Sequence, residues 1–161
     1  MAELIKVGMA DYKTGSHPAS LISYGLGSCV GIALYDSVAK VGGLAHIMLP
    51  DSTQSRATEN PAKFADTCLP LMMDEILKLG AIRSRVWAKI AGGAQMFTFA
   101  NATDIMRVGE RNVEAVRLML KKMDIRIINE DTGGNYGRTV ELKLDSGIFR
   151  IKTIDKGEKE L

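Results

Sequence analysis

Residues 29–35, CVGIALY, and 41–49, VGGLAHIML, are two apolar runs of strand length separated only by the polar DSVAK. That spacing makes a β-hairpin, and neither run alternates apolar with polar residues, so both faces of the hairpin have to be covered. A chain of 161 residues can cover them within one domain and is too short for two. A strand pair buried on two sides calls for a layered domain.

The remaining segments supply the layers. LIKVGMADYK reads as a first strand, TGSHPAS as a loop because His17 precedes a proline, and Leu21–Tyr24 as a short strand. DSTQSRATEN has the composition of an exposed loop. Asn60 and Pro61 then open a helix that runs to Leu79 and stops at Gly80, with Pro70 predicting a kink or two shorter helices. RVWAKIAGGAQMF begins as a strand and breaks at Gly92 and Gly93. Val113, Val116, Leu120 and Met123 fall on one face of a second helix over Gly109–Asp124. A strand at Ile125–Ile128, the loop EDTGGNYG and a hairpin of TVELKL and IFRIKTI, turning at Asp145, Ser146 and Gly147, complete the order. Strands outnumber helices without alternating strictly with them, which favours an α+β layered domain over a doubly wound one. Residues 1–154 form a single domain in this reading, and 155–161, charged and containing Gly157, a flexible C-terminal tail.

Composition narrows the function classes. Apolar residues make up 46% and charged residues 25%, the balance of a folded globular chain. The net charge of +2 comes from 21 basic and 19 acidic residues that alternate along the chain, so no basic stripe points to nucleic acid. No apolar stretch approaches the roughly 20 residues of a membrane span, and MAELIKVGMA lacks a signal-peptide layout. The expected location is the cytoplasm, with both Cys29 and Cys68 reduced.

Cys29 directly follows the glycine-containing YGLGS. A two- or four-residue loop centred on Ser37 and Val38 sets it opposite His46, on a face where its neighbours are Gly31 and Ala33 and where Leu44 and Met48 flank the histidine. Directly opposed residues hold their Cβ atoms about 4.5–5.5 Å apart, close enough for thiol and imidazole to share a proton. An imidazole stabilises a neighbouring thiolate, and the preceding GLG can present backbone N–H groups to an oxyanion. Ser23 and Asp11 are the nearest polar groups that could orient the imidazole. A loop one residue longer or shorter would put thiol and imidazole on opposite faces.

Plainer readings stand beside this one. Free cysteine is among the most buried residue types, so Cys29 can equally be core, and Cys68, beside Phe64 and Leu71 on the first helix, reads as core. The dinucleotide pattern fails because Val30 stands where a glycine is required and no helix follows. The two cysteines and two histidines lack the close pairs of a zinc site.

Five blocks then resemble one family in its order: GLGSCV at 25–30, AHIMLPDS at 45–52, KIAGGAQMF at 89–97, GERNVEAV at 109–116 and EDTGGNYGR at 130–138. The family is CheD, the chemoreceptor glutamine deamidases, and the resemblance extends from Leu4 to Lys152. It implies a three-layer α/β/β sandwich with mixed β-sheet layers and two main helices, similar to the catalytic domain of deamidating cysteine-hydrolase toxins. It also implies a nucleophile at Cys29, a proton carrier at His46 and an imidazole-orienting hydroxyl at Ser23, where the family typically has threonine. Backbone N–H groups at Gly27, Ser28 and Cys29 would hold the oxyanion. The implied reaction hydrolyses glutamine side chains of methyl-accepting chemotaxis receptors to glutamate, with no metal or organic cofactor, and a CheC phosphatase is a further implied partner. Tyr136 stands where many members carry arginine. A receptor- or CheC-binding adaptor without chemistry, and a cysteine hydrolase acting on glutamyl methyl esters, are the alternative functions.

Overall fold

In the computed structural model, which describes residues 2–54, 59–96 and 107–161, the hairpin is built as expected and is covered on both faces. Its strands β4 (Val30–Asp36) and β5 (Val41–Ile47) are buried along their whole length. They lie at the centre of a mixed sheet of order β2-β5-β4-β6-β7, completed by β2 (Asp11–Ser16), β6 (Val86–Gly92) and β7 (Ile127–Thr132). The second mixed sheet has the order β1-β3-β8-β9-β10, from β1 (Leu4–Lys6), β3 (Ser20–Leu26), β8 (Arg138–Lys143), β9 (Phe149–Thr153) and β10 (Gly157–Glu160). Helices α1 (Ala65–Lys78) and α2 (Val108–Lys122) cover the outer face of the first sheet. This is the three-layer α/β/β sandwich.

Alternation along the hairpin sorts its side chains between two cores. Val30, Ile32, Leu34, Ala45 and Ile47 pack with the helices, whereas Ala33, Tyr35 and Leu44 pack between the sheets with Leu26, Val140 and Phe149. Tyr35 donates its hydroxyl to the Leu144 carbonyl at 2.7 Å, and Lys89 reaches the Gly147 and Leu161 carbonyls at 2.8 and 2.7 Å. These polar crossings tie one sheet to the other.

The hairpin pairing differs from the expectation by two residues, its turn centre having moved by one. Asp36 pairs with Val41 across a four-residue loop, so the turn centres on Val38 and Ala39, and Gly31 lies opposite His46. Asp36 causes the shift: its Oδ1 accepts from the Val38 and Ala39 N–H groups at 2.9 and 3.1 Å, and its carbonyl accepts from Lys40 N at 2.8 Å. An even loop preserves the faces. Cys29 therefore stays on the inter-sheet side with His46, diagonal to it rather than opposite.

Other boundaries move for local reasons. LIKVGMADYK divides into β1 and part of β2, in different sheets, at a turn where Ala10 takes φ 56°, and TGS of the expected loop extends β2. The first helix begins at Ala65, because Phe64 is extended and buried; Asn60 caps a separate one-turn 3-10 segment, Pro61–Lys63. Pro70 sits early in a continuous helix and does not divide it. Part of the EDTGGNYG loop belongs to β7. Residues 157–160, read as a flexible tail, pair antiparallel with β9 as an exposed edge strand. The middle of the 51–60 loop and Phe97 of the KIAGGAQMF block lie outside the described residues.

Candidate active site

The site starts from a distortion in β3. Ser23 pairs with Val140 and Leu26 with Arg138, so β3 carries one extra residue at a β-bulge, and Gly25 takes the left-handed φ of 71° there. The bulge ends β3 and turns the chain through Gly27 and Ser28 to Cys29 at the head of β4. The nucleophile candidate thus sits where the chain crosses from one sheet to the other.

Ser23 projects from β3 between the sheets, where it is fully buried, and meets His46 from β5, also fully buried. Its Oγ lies 2.7 Å from His46 Nδ1 and 2.7 Å from the Val7 carbonyl oxygen. A carbonyl only accepts, so the single hydroxyl proton goes to Val7, and Oγ accepts from Nδ1–H. This assigns the imidazole tautomer. The lone pair is left on Nε2, which is buried without a hydrogen-bond partner among the described residues. Asp11, the other candidate orienting group, lies opposite His46 in the β2–β5 register, but its carboxylate accepts from Tyr12 N and pairs with Lys13.

Continuing the β4–β5 register puts Cys29 opposite Met48, two pairs from the Gly31–His46 pair and so on the face that carries His46. Diagonal neighbours on one sheet face are about 7–8 Å apart, closer between side chains. Gly31, opposite His46, leaves no open space: a Cβ there would lie 3.2 Å from both Leu26 Cδ1 and Val140 Cγ2, so those side chains already fill the position. Burial pushes the Cys29 thiol up, while its own backbone N–H acts in the opposite sense; burial pushes His46 down. Both effects favour a neutral thiol and a neutral imidazole at rest. Alkylation of Cys29 by iodoacetamide is therefore expected to be slow at neutral pH and to rise through a midpoint above the ordinary thiol value of ~8.5. A midpoint below neutrality, from mass spectrometry of the labelled peptide, would instead indicate a preformed thiolate–imidazolium pair.

The loop before Cys29 is held from behind. The carbonyl oxygens of Gly27, Ser28 and Cys29 accept from Ala94 N at 2.9 Å, Asn112 Nδ2 at 2.9 Å and Gly93 N at 2.8 Å. In a trans peptide the N–H points opposite to the C=O, so the Ser28 and Cys29 N–H groups face away from these anchors. The anchoring segment is seated closely on α2, where a Cβ on Gly109 would lie 2.4 Å from the Ala94 oxygen. It is braced further by Gln95 N to Gly134 O and Gly133 N to Gly92 O, from a loop that Arg138 closes through Asp131 and Gly133. Tyr136 lies over the Arg138 guanidinium at 4.5 Å.

Asn112 escaped the sequence reading, although a signal was present: an amide on the helix face that otherwise carries Gly109, Val113, Val116 and Leu120. Cys68 sits fully buried on α1, its thiol pushed up to about 12 by burial, and is remote from this constellation in the helix-side core. A cleft of about 550 Å³ beside α2, lined by Gln95, Glu110, Glu114 and Arg117, includes none of Cys29, His46 and Ser23. Among the described residues no three His, Cys, Asp or Glu side chains gather to hold a metal, and no helix is long and apolar enough to cross a membrane.

Residues 48–153 match the family model described as CheD chemotactic sensory transduction. A protein named probable chemoreceptor glutamine deamidase CheD from Syntrophomonas wolfei is 53% identical over 99% of both chains, and one from Desulforamulus reducens is 55% identical over 93% of this chain and 90% of its own. The chemoreceptor glutamine deamidase CheD of Halalkalibacterium halodurans is 49% identical over the full length of both. The family model begins after Cys29, Ser23 and His46, whereas the pairwise matches run through them, and together they establish that this chain belongs to the CheD family.

Proposed function

We propose that the chain hydrolyses glutamine side-chain amides of chemoreceptors to glutamate, with Cys29 as nucleophile and His46 as proton carrier. The observation that carries this reading is the Ser23–His46 contact between the two sheets, which leaves Nε2 unprotonated on the face that carries Cys29. The relatives' names supply the substrate class.

Nε2 takes the thiol proton as Sγ adds to the carboxamide carbon. The carbonyl oxygen becomes an oxyanion facing the Ser28 and Cys29 N–H groups, and Gly27 contributes by anchoring the loop through its carbonyl. The imidazolium then protonates nitrogen, the C–N bond breaks and ammonia leaves a thioester. His46 next deprotonates a water that adds to the thioester; C–S cleavage releases glutamate and returns the proton to sulfur. Every step uses side chains and backbone of this chain, with water as co-reactant. New glutamates on receptors are sites for methylation, so the activity would serve adaptation in the cytoplasm, with CheC as a second partner.

The test is intact-mass analysis of a chemoreceptor cytoplasmic fragment incubated with the protein: a gain of ~1 Da per converted glutamine with ammonia release supports deamidation. Methanol release from methylated fragments without ammonia would favour ester hydrolysis, and bound but unchanged fragment an adaptor. Within this reading Ser23→Ala is expected to lower kcat by about 10–100-fold, because the imidazole loses the partner that fixes its tautomer. Ser23→Thr, which retains the hydroxyl, should stay within about threefold of wild type. Equal activity of the alanine variant would remove Ser23 from the site.

A further inference from the structure

We infer that Asn112 on α2 is a positioning residue that aims the Cys29 N–H at the oxyanion, an inference that rests on the deamidase reading above. Asn112 is fully buried. Its Nδ2 donates to the Ser28 carbonyl and to the Met48 carbonyl, each at 2.9 Å. The first carbonyl shares a peptide with the Cys29 N–H, and the second lies two residues beyond His46. A single amide therefore ties the chain end that carries the nucleophile to the chain end that carries the base.

The three carbonyls of the loop are not held alike. Gly27 and Cys29 are held by the backbone N–H groups of Ala94 and Gly93, whereas Ser28 is held by a side chain. The Ser28–Cys29 peptide is planar, so fixing its oxygen fixes the direction of its N–H. Asn112 is thus the point at which a side chain sets that direction. Its Oδ1 is buried without a partner among the described residues, a costly arrangement that leucine of similar shape would avoid. The two donated bonds are what an amide supplies here and the apolar neighbours Val113, Val116 and Leu120 cannot.

A purely structural role and a positioning role separate by reaction type. Attack on a carboxamide creates an oxyanion, while alkylation by iodoacetamide displaces iodide at a saturated carbon and creates none. The full-length chain and its Asn112→Ala and Asn112→Leu variants are compared for kcat and KM on a glutamine-bearing chemoreceptor fragment and for the rate of Cys29 alkylation at the same pH. The expected result is a kcat lower by about 100-fold, the scale of removing one oxyanion donor, with KM within about twofold and alkylation within about threefold of wild type. Unchanged kcat in a folded variant would overturn the inference, as would alkylation that falls in parallel with kcat. Failure of both variants to fold would assign Asn112 to structural support alone and overturn it too. Wild-type protein whose thiol alkylates normally but which leaves the fragment unchanged would count against the deamidase reading itself.

Discussion

Cys29→Ala is expected to abolish deamidation, lowering kcat on a chemoreceptor fragment by at least ~10⁴-fold, because a covalent route without its nucleophile retains only binding and the oxyanion donors. The other thiol cannot substitute. Cys68 is fully buried in the helix-side core, and burial holds its proton up to about 12. The fold should survive: the substitution removes one sulfur atom at a residue 7% exposed, a change of about 1 kcal/mol in urea unfolding. Intact-mass assays on the variant and on Cys68→Ala check both points together. Activity lost with Cys68→Ala and kept with Cys29→Ala would reverse the assignment.

Asp36→Ala should produce the largest loss of stability, about 2–4 kcal/mol, since it removes the acceptor of a half-buried guanidinium and of three partly buried backbone donors at once. The fully buried carboxylate accepts from Val38, Ala39 and Ile82 N–H groups and from Arg85 Nε at 3.0 Å. Burial alone would push its pKa up, but these donors outweigh it and hold the carboxyl below the ordinary range. A depressed carboxyl stabilises the fold above its unfolded value of ~3.9, and that contribution is lost as pH falls through the folded value. Urea midpoints measured against pH should therefore converge for wild type and Asp36→Asn only in strong acid. Because the same carboxylate sets the hairpin turn, folded Asp36 variants should also lose activity by blurring the register between Cys29 and His46. An Asp36→Ala protein with wild-type stability would refute this account of the turn.

The face that carries Cys29 and His46 was legible because strand geometry has a period of two: any even loop keeps both residues on one side. Their alignment along the strands was not legible, since it depends on where Asp36 directs its side chain, and DSVAK alone is compatible with more than one four-residue turn. Ser23 could be named from its proximity and from family resemblance, but its 2.7 Å contact with His46 joins residues of different sheets. Asn112 lies even further from its partners in sequence, and a helix wheel marks it only as a misplaced polar residue. The tail was misread because edge pairing with β9 depends on a neighbouring strand rather than on the composition of KGEKEL.

The sequence by itself determined the layered α+β class, the two-sided burial of the hairpin, the two helices and the family, since hydrophobic period, turn residues and motif order are properties of neighbouring positions. Only the tertiary structure decided the register, the imidazole tautomer and the direction of the Cys29 N–H. The last two depend on hydrogen bonds between segments distant along the chain, and the register on an Asp36 side chain that Ile82 and Arg85 hold as well as its own loop; such long-range bonds exist only once the layers have packed.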